Sequence, residues 1–162
     1  MFKLLLIGSL VLSFVGCVGT ASVPKKMFQS VPKKDAILLQ TGKDRRYCSM
    51  CGMDLVKFYK TNHSAIKDSK VYQYCSIHCL EDHLGHGATL KNPQVVDVSS
   101  LKFISIKDAY YVVGSKKKGT MSRVSKYAFA KLEDAKEFQA KNGGKIMRFN
   151  DALERAKEDF RF

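Results

Sequence analysis

The spacing of hydrophobic residues changes several times along this chain, and each change marks an element. After an apolar opening, the stretch from Val18 to about Asp44 shows little periodicity and carries two copies of "VPKK", at 23–26 and 31–34. Proline keeps the residue before it extended, so 17–44 reads as a disordered tether, ending in a short strand at "AILLQ". Period-two alternation then appears in "HSAIK" (63–67) and "KVYQYC" (70–75), which predicts two strands. "SIHCLEDHLGHG" predicts a helix with Ser76 as N-cap and Gly85 and Gly87 as its stop, and "QVVDVSS" predicts a strand. "MDLVKFYK", residues 53–60, alternates Leu55, Lys57 and Tyr59 and reads as strand-like.

The same order returns in the second half. "FISIKDAYYVVGS" holds one or two strands and "YAFA" another. "KLEDAKEFQAKNGG" places Leu132, Ala135, Phe138 and Gln139 at helical spacing and stops at Asn142-Gly143-Gly144. "KIMRF" is the closing strand, and "NDALERAKEDF" predicts a last helix from an Asn150 cap with the stripe Ala152, Leu153, Ala156. Each half reads strand–strand–helix–strand. The expectation is an α+β fold of two related small lobes: a Cys-rich lobe over 45–100, then a second lobe over 101–162 ending in a C-terminal helix.

The opening run changes the picture of where the chain works. "MFKLLLIGSLVLSFVGC" has an early Lys3 and an apolar stretch too short to span a bilayer, which takes about 20 residues. It reads as a secretory signal over 1–16. Its end, "SFVGC", resembles a bacterial lipobox, in which cleavage leaves Cys17 as the diacylated N-terminus, although Phe14 stands where such boxes prefer Leu. The chain is thus expected outside the cytoplasm, as a membrane-anchored lipoprotein facing the periplasm. The 28 Lys+Arg against 15 Asp+Glu give a formal net charge of +13. That charge suits anionic lipid headgroups or an acidic partner, and a solvated lysine-rich surface is the plain account of it. An exported chain with no aromatic–basic recognition pattern gives no reason to expect nucleic acid.

The remaining four cysteines follow the pattern C-x2-C-x23-C-x3-C: Cys48, Cys51, Cys75 and Cys79. Exported proteins commonly oxidise their thiols, so disulfides are one account, cross-pairing of Cys51 with Cys75 among them. A helical Cys75/Cys79 pair does not close on itself readily, because its Cβ atoms sit about 6 Å apart and a disulfide needs about 3.8 Å. Such a pair can chelate. Four cysteines at this spacing suit tetrahedral Zn2+, while soft thiolate and thioether donors suit Cu(I). Copper gains from Met50 and Met53 on either side of Cys51, from His78 inside the C-x3-C, and from Met121 in the glycine-bearing loop "KKGTMS". The candidate ligands are therefore Cys51, Cys75 and Cys79 with Met53, Met121, Cys48 and His78. Met53 also reads as an ordinary buried side chain, His63 as an exposed turn residue, and His83 and His86 as caps of the helix C-terminus. "CSMC" as a thiol–disulfide site would need a helix starting at its first cysteine. An organomercurial-lyase type of reaction would need a carboxylate beside the thiols, for which Asp54 is the near candidate. No nucleophile–His–acid grouping supports hydrolysis.

"CGM" at 51–53 followed by "YCSIHC" at 74–79 resembles the YHS/TRASH-type heavy-metal modules. "DAYYVVGSKKKGTMS…YAFAKLEDAKEFQAKNGGKIMRF" resembles the C-terminal lobe of the NosL family, the lipoprotein accessory factors of nitrous oxide reductase. The resemblance covers about 47–151. It implies two strand–helix–strand lobes related to organomercurial lyase, and no enzymatic activity. The implied function is a membrane-tethered Cu(I) metallochaperone for assembly of a copper enzyme such as nitrous oxide reductase. Residue by residue, Cys51, Gly52 and Met53 match the family's Cys-Gly-Met, and Met121 matches the methionine of its Gly-Pro-Met loop. Thr120 stands in place of that proline, Asn142 in place of a histidine before Gly-Gly, and the Cys75/Cys79 pair adds sulfur beyond the family pattern.

Overall fold

A computed structural model describes residues 27–159. The signal segment, the lipobox-like Cys17 and the first part of the tether lie outside the described residues. Seven strands and three α-helices follow one another as β1 (His63–Lys67), β2 (Lys70–Tyr74), α1 (Ile77–Gly85), β3 (Lys91–Val96), β4 (Phe103–Ser105), β5 (Tyr110–Val113), β6 (Lys126–Phe129), α2 (Leu132–Asn142), β7 (Lys145–Met147) and α3 (Phe149–Glu158).

The expected internal repeat is present in the topology. One sheet has the order β2-β1-β3-β4 and the other β6-β5-β7, with antiparallel neighbours throughout. In each, the first strand of the repeat lies in the middle, a hairpin partner covers one side, and a helix crosses over to bring the third strand to the other side. β4 is an addition to the first sheet. The fold is therefore α+β with two related lobes.

One core joins the two lobes. Ile77 of α1, Val95 of β3, Tyr111 and Val113 of β5, Ala128 of β6, and Ala152 and Ala156 of α3 pack together with Phe149 and Leu153 at the margin. The small alanine faces let α3 lie close against α1 and β5. Asp97 ties the lobes at their seam. Its Oδ1 accepts from Ala130 N at 3.1 Å, and Val98 N donates to Ala128 O at 2.9 Å.

Four expectations change. The stretch 27–44 was expected as tether, yet its described part lies on the body: Val31 packs with Val56, Tyr59 and Val96, and Gln29 Nε2 donates to Lys118 O at 2.8 Å. "AILLQ" forms no strand, because Gln73 takes the place of a ladder partner; its Oε1 accepts from Leu39 N at 2.8 Å and its Nε2 donates to Ile37 O at 3.1 Å. "MDLVKFYK" forms turns and a short 3-10 helix at Tyr59–Thr61. Its buried residues are Leu55, Val56 and Tyr59, a spacing of one and three that alternation does not produce, and Asp54 Oδ1 accepts from Val56 N and Lys57 N at 2.9 and 3.2 Å, the turn-forming use of an aspartate. His63, expected in an exposed turn, is buried in β1, with Nδ1 bonded to Thr61 O and Nε2 to the Tyr111 hydroxyl, both at 3.1 Å.

The helix ends are close to expectation with different capping chemistry. Ser76 occupies the N-cap of α1, but its hydroxyl makes no cap bond and has no hydrogen-bond partner among the described residues. α3 starts at Phe149, with Arg148 as N-cap, so Asn150 lies just inside it. His86 does cap α1, its Nδ1 reaching Asp82 O at 2.7 Å, whereas His83 bonds the Tyr74 hydroxyl at 2.9 Å.

Candidate metal centre

The cysteines come from three places that the first lobe brings to one point. Cys48 and Cys51 sit on a tight loop closed by Cys48 N donating to Met53 O at 2.8 Å and Gly52 N donating to Cys48 O at 2.9 Å. Gly52 has φ +74°, the left-handed region that glycine occupies without a Cβ penalty. Outside the loop, Tyr47 and Asp54 form an isolated bridge, and the Arg46 guanidinium donates to Asp54 Oδ2 through Nε at 3.0 Å and Nη2 at 2.8 Å. Ser49 N donates to Gln73 O at 3.1 Å and so fixes the loop to the outer edge of β2. Cys75 follows directly after β2, and Cys79 lies in the first turn of α1.

The four Sγ atoms lie within 4.8 Å of one another. Cys51 is 3.5 Å from Cys75 and 3.5 Å from Cys79, and Cys75 is 3.7 Å from Cys79. A disulfide would need about 2.05 Å, and all four described thiols are free. With a metal–sulfur bond of about 2.3 Å, a tetrahedral S4 site has edges of about 3.8 Å and a trigonal S3 site of about 4.0 Å. The observed edges are therefore the spacing at which sulfurs share one ion, reached without bonding each other.

The surroundings explain why the thiols hold this spacing. Leu55, Ala65, Tyr74 and Leu80 enclose the cluster, with Leu38, Met50, Met53, Phe58 and Tyr72 packed on its outside. Cys48, Cys75 and Cys79 are buried and Cys51 is exposed, so the site has one open vertex. The neighbouring Cys75 and Cys79 thiols pull the Cys48 pKa down by hydrogen bonding to its sulfur. The same bonds push Cys75 and Cys79 up, and burial adds to the rise in both. An incoming cation reverses this, because each thiolate it gains displaces a proton.

The remaining candidates separate. Met53 Sδ stands 3.9 Å from Cys75 Sγ, at the edge of the cluster. Met121 belongs to a loop on the second lobe, is 40% exposed and has φ +61°. That loop connects with the centre through hydroxyls, since Thr61 Oγ1 donates to Cys75 O at 2.8 Å and lies 2.8 Å from Thr120 Oγ1. His78 turns away from the sulfurs into the seam between the lobes, where its Nε2 is 3.4 Å from Lys126 Nζ and 3.6 Å from Asp159 Oδ2. Burial first, and then the Lys126 charge, lower its pKa to about 4. Buried Lys126 meets the partly buried Asp159 and Ser122 there, and burial lowers the Lys126 pKa. Asp54, the carboxylate nearest the thiols in sequence, is held by Arg46 and two backbone N–H groups.

The sequence reading did not identify Thr61, Arg46 or the Lys126–Asp159 pair. The eight-residue separation of Arg46 from Asp54 across the cysteine loop was the available signal for that pair. Nothing local marks Lys126 as buried except its place in "SKYAFA", a strand whose residues 126–129 are all buried.

The fold has counterparts among known proteins. A solved structure, described as the copper chaperone NosL from Shewanella denitrificans, is 26% identical in sequence and superposes with a TM-score of 0.55, covering 69% of this chain and 92% of that one. No curated protein matches the chain. A family model for NosL matches residues 40–156, from before the cysteine loop to the last turn of α3, and the chain belongs to the NosL family.

Proposed function

We propose that this protein is a Cu(I) carrier, tethered to a membrane through a lipid on Cys17, that faces the periplasm and hands copper to a copper enzyme such as nitrous oxide reductase. The observation that carries the reading is the meeting of four sulfurs, three buried and one exposed, at a single point. Soft donors favour a soft monovalent ion. The open vertex at Cys51 favours exchange over permanent retention. A partner adds its own thiolate or imidazole to the ion beside Cys51, and Cys51 then Cys75 and Cys79 release it. Met53 stands ready as a neutral fifth donor at the edge. The copper is cargo and leaves chemically unchanged, so the protein acts as a chaperone and not as an enzyme. Among the described residues no helix is long and apolar enough to cross a membrane, which leaves attachment to the segment before them.

A specific observation favours a second reading. The sulfur edges of 3.5 to 3.7 Å are close to the ~3.8 Å of a tetrahedral Zn2+ thiolate centre, which would make the lobe a structural zinc module. The test is metal analysis of protein purified anaerobically under reducing conditions and then offered Cu(I), Zn2+ or no metal. The carrier reading expects tight Cu(I) uptake by a protein that stays folded without metal. Zinc retained through purification, with unfolding on chelation, would overturn it in favour of the structural module.

A further inference from the structure

The first sheet leaves one edge open beside the sulfur cluster. Asp68 and Ser69, at φ +49° and +62°, join β1 and β2 as a two-residue hairpin turn. That turn makes Lys67 and Lys70 a hydrogen-bonded pair, and bonded pairs then recur at every second residue. Val71 and Gln73 therefore turn their backbone N–H and C=O away from β1, toward the outer edge. At Gln73 this edge is occupied: its N–H donates to Gln40 Oε1 at 3.0 Å and its C=O accepts from Ser49 N at 3.1 Å. At Val71 it is open, because among the described residues nothing bonds its N–H or C=O on that side.

Val71 lines a groove of about 970 Å³, which Leu39, the turn at 42–45, and Cys48, Ser49 and Gly52 of the cysteine loop line as well. Ser49 is bonded to Gln73, two residues from Val71, and Gly52 adjoins Cys51 in the chain. A strand rises about 3.4 Å per residue, so one laid along Val71 comes beside the cysteine loop within two or three residues. The charges of the groove have one sign in excess. Lys43, Arg45 and Lys70 line it against a single acid, Asp44, and all four are exposed. Lys70 Nζ lies 5.4 Å from the centroid of the Tyr72 ring, which keeps it against β2.

An edge with open N–H and C=O groups is a template for another strand, and the charges state which kind. A second copy would bring an equally basic edge against this one, and facing like charges oppose that pairing. An extended segment with acidic side chains satisfies the backbone and the cations together, as in recognition by strand addition.

We propose that the β2 edge at Val71 is where the copper-receiving partner docks, by adding an extended acidic segment to the sheet and so carrying its own copper ligand to the cysteine loop. The proposal rests on the carrier reading above and names how the receiver is recognised. The segment supplies a C=O to Val71 N–H and an N–H to Val71 C=O, and its carboxylates meet Lys43, Arg45 and Lys70. Once docked, its ligand acts at a local concentration of about millimolar. Copper passes by ligand exchange with no change of oxidation state.

The test uses the Cu(I)-loaded, 15N-labelled mature chain and capped seven-residue peptides of alternating valine and glutamate, with a cysteine added at one end or at the other. Counterparts with lysine for glutamate are the controls. The acidic peptides should shift the Val71 amide resonance downfield and bind roughly tenfold more tightly than the basic ones. The acidic peptide whose cysteine reaches the loop should draw Cu(I) from the protein roughly tenfold faster than free cysteine at equal concentration. Val71→Pro, at an edge position that tolerates proline, should reduce that rate to the free-cysteine rate while Cu(I) affinity is kept. Lys43→Glu/Lys70→Glu should reverse the preference between acidic and basic peptides, a readout independent of how the proline variant folds. Equal binding of both peptide classes would overturn the proposal, and so would a charge-reversed variant that still prefers the acidic one. A Val71 resonance that broadens with protein concentration alone would place a second copy on the edge and overturn it too. A protein that takes up no Cu(I) would end the carrier reading, and the response of the Val71 amide to the acidic peptide would still decide the docking edge.

Discussion

Replacing Cys51 with Ser removes one vertex of the sulfur cluster at little cost to the fold. The side chain is exposed, and its contacts within the site are the two 3.5 Å approaches to Cys75 and Cys79. An exposed substitution of this kind changes stability by about 0.5 kcal/mol or less. The metal loses far more. Thiolate centres of four ligands bind with about 10–16 kcal/mol at neutral pH, so one ligand accounts for about 3 kcal/mol, or roughly a hundredfold in affinity. The Cys75→Ser variant provides the contrast. Cys75 is fully buried, and a hydroxyl there would be enclosed by Leu55, Tyr74 and Leu80. It should lose the same share of affinity and a further 1–3 kcal/mol of fold stability from the desolvated polar group. The assays are competition against a chromophoric Cu(I) chelator for affinity and urea unfolding of the metal-free, reduced protein for stability. The reasoning fails if Cys51→Ser keeps its affinity within about threefold, or if both variants lose stability equally.

Three more expectations come from other parts of the structure. Gly52→Ala places a Cβ at φ +74° in open space, so the cost is backbone strain of about 1–2 kcal/mol, read by denaturant unfolding, with weaker Cu(I) uptake because the loop carries Cys48 and Cys51. Lys126→Met removes the buried partner of the partly buried Asp159 carboxylate and should cost about 2 kcal/mol, below the ~3–5 kcal/mol of a fully buried pair; Lys126→Met/Asp159→Leu should recover most of that, and a cost that simply adds in the double variant would refute the pairing. Burial lowers the His63 pKa to about 3 from its ordinary 6.5, so between those values the unfolded chain binds a proton that the native state refuses. Stability should therefore fall as pH drops from 6.5 toward 3, by about 5 kcal/mol in total, and the melting temperature of His63→Gln should show a flatter acid limb.

The repeat was legible because it is written in periodicity. "HSAIK" and "KVYQY" alternate as strands do, although adjacent residues of both are buried, and the helix at 132–142 buries the stripe of Ala135 and Phe138. The cysteines were legible because their chemistry is rare and their spacing short. What sequence reading missed lies where long-range partners replace local ones. Gln73 satisfies the backbone of 37–39 through its side-chain amide, a contact across more than thirty residues that no local pattern announces. His63 looked like a turn residue next to Asn62, and only the arrival of Tyr111 from the other lobe makes burying it tolerable. The cysteine-flanking "MDLVKFYK" alternates by coincidence of composition, and Asp54 decides its conformation by accepting two N–H groups of the following turn. His78 was placed with the metal by its position between two cysteines. On a helix, adjacent residues point about 100° apart, so the residue just before Cys79 faces the seam between the lobes.

That division of α1 connects the site to the rest of the fold. One face of the helix carries Cys79 into the sulfur cluster, and the neighbouring face carries His78 toward Lys126 and Asp159, where β6 and the end of α3 meet. Cys75, just before the helix, is held through its carbonyl by Thr61, whose hydroxyl also meets Thr120 on the second lobe. The two buried sulfurs nearest the open vertex are thus positioned by bonds that cross between lobes, while Cys51 depends on the short loop alone. A carrier needs this inequality. The ligands that keep the ion must not move when a partner arrives, and the ligand that releases it must be able to. In a structural zinc centre all four vertices are closed. Here the vertex that faces solvent is the one with the fewest ties to the body, and exchange would begin there.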